Sequence, residues 1–96
     1  SIASVQRALQ ILKLFIPVNQ PLSLMEICAQ SSMNKSTAFR MVYTLKEEGF
    51  ITILDESKKY KLGSASLQLG LSALYSINLT SVAKPYFIFE LIIKNE

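Results

Sequence analysis

In NKSTAFRMVYTLKEEGF, residues 34–50, four side chains have types and spacing suited to chemistry: Ser36, Thr37, Arg40 and Tyr43. Two hydroxyls sit where a helix would make its first turn, and a guanidinium follows one turn later. Such hydroxyls reach phosphate oxygens or base edges. The guanidinium can give two hydrogen bonds to guanine O6 and N7, a pair worth about 1–3 kcal/mol of discrimination. Tyr43 could meet a thymine methyl or a phosphate, or simply pack. At about 100° per residue, Ala38, Met41, Val42 and Leu45 form one apolar stripe, and Ser36, Arg40, Tyr43 and Glu47 point the opposite way. One face must pack; the other is free to touch water or a partner. Arg40 has Glu47 on its own side as a competing ion partner, and Phe39, at the margin of the packing face, falls outside the candidate set.

Other side chains could hold an anionic backbone. Ser23 and Lys35 stand at the starts of two expected helices, and Lys58, Lys59 and Lys61 lie in an expected hairpin. Taken singly, each lysine is an ordinary solvated residue. Taken together beside the 34–50 helix, they are candidates for phosphate contacts, which position a protein on a duplex without specifying sequence.

Several elements must position these groups. Residues 4–16 place Val5, Ala8, Leu9, Leu12, Phe15 and Ile16 at the spacing of one helical face, and Pro17 ends the run. Ser23-Leu24-Met25-Glu26 is a capping box that opens a short helix over about 23–30, with Leu24, Ile27 and Cys28 inward. Cys28 reads as a small core residue. The turn SSMN then leads into the amphipathic helix 35–48, which completes a helix-turn-helix. Gly49 suits a left-handed helix end. Phe50–Leu54 and Lys59–Leu62 read as two strands around the turn at 55–58, a hairpin with a basic tip and return strand. The expected fold is mainly α with a small β-hairpin: a winged helix-turn-helix over 1–63, then a linker helix over 64–78 weakened by Gly70. Residues 79–96 are apolar nearly all round, which predicts the first helix of a second domain cut short.

Composition narrows the function. The chain has no histidine and one cysteine, so metal clusters, Cys/His pairs and disulfide frameworks have no raw material. No enzyme and no cofactor is expected. No run of eighteen apolar residues occurs and the first residues do not resemble a signal segment, so a cytoplasmic protein without membrane contact is expected. Half of the residues are hydrophobic, an excess for so small a chain that predicts an apolar surface for another subunit or another part of the protein. Residues 1–63 hold eight Lys and Arg against five acids, which accounts for the whole net charge of +3; residues 64–96 hold two of each. The positive excess lies where a polyanion would be met.

The order of these elements resembles the N-terminal region of the IclR family of bacterial transcriptional regulators. The resemblance is carried by SVQRALQIL at 4–12, LSLMEICAQ at 22–30, NKSTAFRMVYTLKEEGFI at 34–51, YKLGSASLQLG at 60–70 and SVAKPYF at 81–87. It implies a DNA-binding winged helix, a linker helix, and a C-terminal effector domain that senses a small molecule. It also implies dimer contacts through the first helix and the linker helix, giving a homodimer or a tetramer. The chain departs from the family pattern at Asn34 (usually proline), Ser32 (glycine), Ser31 (apolar) and Cys28 (alanine). Asn34 can cap the next helix, and serine fits the turn with some strain.

On this reading the chain is a sequence-specific regulator that binds double-stranded DNA, its small-molecule effector held by a C-terminal domain. Helix 35–48 would lie in the major groove and the wing, 51–62, on the backbone. The competing reading is a winged-helix protein-interaction module that does not bind DNA. Single-stranded RNA binding lacks the aromatic stacking platform it needs.

Overall fold

The computed structural model describes residues 1–17 and 20–78. In chain order the elements are α1 (Ala3–Lys13), α2 (Leu24–Ser31), α3 (Lys35–Glu47), β1 (Ile51–Ile53), β2 (Tyr60–Leu62) and α4 (Ser64–Asn78). Three helices, a hairpin and a further helix make the expected winged helix-turn-helix with its trailing helix. The stretch 79–96, expected to open a second domain, lies outside the described residues. No helix among the described residues is long and apolar enough to cross a membrane.

Local sequence explains each boundary. The capping box of α2 is formed in full: the Ser23 amide donates to Glu26 Oε1 at 2.8 Å and the Glu26 amide to Ser23 Oγ at 3.1 Å. At the start of α3, Asn34 Oδ1 accepts from the Thr37 amide at 2.8 Å, so asparagine does the capping expected of it. Ser32, at the end of α2, is held at φ 59°, a left-handed conformation that glycine adopts without strain. Gly49 follows α3 at φ +85°. Its amide donates to Lys46 O at 3.1 Å and that of Phe50 to Leu45 O at 2.9 Å, the paired bonds of a Schellman end.

The core draws on every element before α4. Ile11, Phe15, Leu22, Ile27, Ala38, Val42, Leu45, Ile51 and Tyr60 are buried together, with Ala8, Leu12, Leu24, Cys28 and Met41 packed partly against them. The inward sides of α2 and α3 are those expected. That of α1 is not: Ile11 is wholly buried, whereas Leu9 keeps 49% and Ile16 76% of its surface exposed and Val5 is exposed as well. The apolar arc of α1 is too wide for one contact. Its Ala8–Ile11–Phe15 edge meets the core, and its Val5–Leu9–Ile16 edge is left open. Helical geometry stops at Lys13, and Leu14, Phe15 and Ile16 continue in a tightened turn of i to i−3 bonds.

The hairpin pairs Ile51 with Leu62, Thr52 with Lys61 and Ile53 with Tyr60. A pairing not foreseen from the sequence adds Leu22, which exchanges hydrogen bonds of 2.7 and 2.8 Å with Tyr60. It ties the approach to α2 onto the base of the wing. The turn falls within the expected 55–58, and its exposed tip carries Asp55 and Glu56 beside Lys58. The positive charge therefore belongs to the return side and not to the tip.

α4 is fastened at its start. A Cβ at Gly63 would run into the Gly49 carbonyl, so only glycine permits this close approach. Three bonds then join the segments: Gly63 N–H to Phe50 O at 2.8 Å, Ala65 N–H to Gly49 O at 2.9 Å and Ser66 Oγ to Phe50 O at 2.8 Å.

Candidate nucleic-acid interface

The outer side of α3 is built by what its inner side must do. Burying Ala38, Val42 and Leu45 turns Ser36, Arg40, Tyr43 and Glu47 outward, and all four are exposed. Lys35 is exposed at the helix start, and Thr37 is half-buried toward α1. The first turn holds no acid. The neutral Asn34 side chain takes only the Thr37 amide, leaving the amides of Lys35 and Ser36 for an outside acceptor. Partial positive charge at such a helix start favours an anion. Glu47 and Glu48 stand at the opposite end, more than three turns away. No ion pair to Arg40 forms among the described residues, so the competing pairing with Glu47 is absent.

Beside this face runs a cleft between α1 and α3, lined by Ser4, Arg7, Thr37, Arg40 and Thr44 among others. Two guanidinium groups thus border one depression. In the sequence Arg7 is legible only as a charge, because its nearness to Arg40 depends on how α1 packs. Phe39 is the other residue outside the candidate set. Rather than closing the core, Phe39 is 50% exposed, and its ring centroid lies 6.3 Å from that of Tyr43, itself 50% exposed. Its neighbour Ala38 takes the place in the core.

The other expected backbone-binding residues differ in their surroundings. Lys58 and Lys61 are exposed, Lys58 at φ 60° in the turn. Lys61 borders a groove with Lys46, Thr52 and Ser64, between the end of α3, the hairpin and the start of α4. Lys59 has its Nζ 3.9 Å from Glu26 Oε1, which brings it next to Ser23. That corner is less open to an anion than the start of α3, because the Glu26 carboxylate already occupies the helix terminus. Hydrogen bonds from the Ser23 amide and hydroxyl, aided by Lys59, hold the Glu26 carboxyl below the usual carboxylate range.

Comparison with known proteins places this geometry. Residues 4–53 match the IclR helix-turn-helix domain, more than half of the chain. The chain belongs to the IclR family. Among its IclR-family relatives, the transcriptional repressor IclR of Escherichia coli is 27% identical over 84 residues, covering 88% of this chain and 31% of that protein. The HTH-type transcriptional regulator XynR of Escherichia coli is 36% identical over 83 residues, 86% of this chain and 33% of that one. The crystal structure of an IclR family transcriptional regulator from Brucella abortus superposes with a TM-score of 0.74 at 28% identity, covering 88% of this chain and 32% of that one. The chain thus spans about a third of the length of these relatives. They are regulators by name, not enzymes.

Proposed function

We propose that this chain is the DNA-binding part of a transcriptional regulator, with α3 in the major groove of double-stranded DNA and the return side of the wing on the backbone. The observation that carries the reading is the outer side of α3: a capped, acid-free helix start with Lys35, Ser36, Arg40 and Tyr43 all turned outward. An α-helix fits the major groove, and base edges are distinguishable there. Arg40 is the reader of sequence, Ser36 and Thr37 reach a base edge or a phosphate, and Lys35, Lys58 and Lys61 contact phosphates. Lys59 and Ser23 join them where the Glu26 carboxylate permits.

The protein works as a symmetric homodimer, so that two copies of α3 meet half-sites about one helical turn apart. The open Val5–Leu9–Ile16 edge of α1 supports this. It borders an apolar groove lined by Leu9, Leu12, Ile16, Phe50, Leu62 and Leu69, which runs between α1, the hairpin and α4. α4 acts as the linker to a C-terminal domain that binds a small-molecule effector, and the whole regulator is cytoplasmic.

Arg40→Ala tests the reading. Binding is measured to a promoter-derived duplex and to a random duplex at one fixed salt concentration. The expected result is a loss of about 1–3 kcal/mol on the promoter duplex and a smaller loss on the random one. Unchanged affinity for both, with the fold intact, removes Arg40 as reader.

A further inference from the structure

Phe39 poses a problem that the core does not solve. It is a large apolar side chain, 50% exposed, on a helix whose packing needs are already met by Ala38, Val42 and Leu45. Tyr43, one turn on, lies against it with ring planes inclined by 40° and centroids 6.3 Å apart. That contact covers one side of the Phe39 ring and leaves the other open to a further apolar group. The pair borders the outer face that carries Ser36 and Arg40, and Phe39 follows Ser36 by three residues and precedes Arg40 by one.

The chemistry of a duplex limits what a phenyl ring there can recognise. Phosphates and sugars give it no hydrogen bond, and in the major groove the apolar group on a base edge is the C5-methyl of thymine. We infer that Phe39, braced by Tyr43, is a specificity-determining residue that recognises a pyrimidine 5-methyl group close to the base pair read by Arg40. This inference rests on the placement of α3 in the major groove and adds to it a second kind of readout. Arg40 distinguishes a base by hydrogen bonds, and Phe39 by covering a methyl group with apolar surface. Because no charge is involved, the contribution of Phe39 is independent of salt, unlike that of the lysines.

The test starts from the sequence that the full chain enriches from a pool of random duplexes. Each thymine of that sequence is replaced in turn by deoxyuridine, which keeps the hydrogen-bonding edge and lacks the methyl group. Affinities are compared for the wild type, Phe39→Ala and Phe39→Leu. At one thymine per half-site the wild type is expected to lose about fourfold, the worth of one methyl group withdrawn from water. Phe39→Ala binds the thymine duplex more weakly and is indifferent to uridine at that position, while Phe39→Leu keeps part of the preference. The salt dependence of the wild type and Phe39→Ala is the same. A wild type indifferent to the methyl at every thymine overturns the inference without touching the DNA-binding reading, and so does a Phe39→Ala variant as methyl-sensitive as the wild type. A pool with no enriched sequence overturns both.

Discussion

Lys58 combines two properties that can be separated by one substitution. It adopts φ 60°, a left-handed conformation that costs a side chain roughly 1–2 kcal/mol relative to glycine, and it is an exposed cation on the wing. Lys58→Gly is therefore expected to leave stability unchanged or raise it by up to about 1 kcal/mol in thermal unfolding. If Lys58 contacts a phosphate, the same variant lowers the slope of log affinity against log salt by about one unit per subunit. An unaltered slope assigns Lys58 to the solvated surface. The sequence made Lys58, Lys59 and Lys61 look equivalent. Their separation comes from the register of the hairpin and from the Glu26 carboxylate, a residue 33 positions before Lys59, and side-chain pairing over such a separation leaves no local pattern to read. The outward placement of Arg40 was legible because both faces of its helix are written within one short periodic segment.

At the scale of the elements, the helix-turn-helix, the Schellman glycine and the hairpin could be read from the chain because each is specified by a few neighbouring residues. The Leu22–Tyr60 bridge could not, since one pair of residues joined across 38 positions has no periodicity. The packed edge of α1 could not either, because apolar residues cover more of its circumference than the core can accept. The two glycines of α4 and its entry make opposite predictions. Nothing lies within 4 Å of a Cβ added at Gly70, so Gly70→Ala should stabilise the chain by about 0.5–1 kcal/mol through the unfolded state and helix propensity. Gly63→Ala forces a side chain against the Gly49 carbonyl and should cost about 1–3 kcal/mol. Denaturant titration of the two variants checks both signs; a neutral Gly63→Ala would mean that the approach of α4 to α3 is looser than its hydrogen bonds indicate.

For the molecule as a whole, the proposed dimer gives α1 two separable tasks, folding and assembly. Ile11→Ala removes a wholly buried side chain and is expected to cost about 2–5 kcal/mol of stability. Leu9→Asp alters a half-exposed residue beside the apolar groove; the expected outcome is a retained fold with weakened self-association, read by sedimentation over a range of concentrations. Equal self-association of Leu9→Asp and wild type places the dimer contact elsewhere. The attachment of α4 also has a mechanical meaning. Its 15 residues span about 22 Å, and its near end is pinned to the turn that closes α3. α4 thus has the form of a lever with its pivot where Gly63 meets Gly49. A swing of about 9° displaces the far end by about 3.4 Å, one base-pair step. In the proposed dimer, a stiff pivot would make the two copies of α3 behave as a calliper set to one gap. Loosening it, as in Gly63→Ala, should let the protein accept half-sites at several separations, at a cost in selectivity among them.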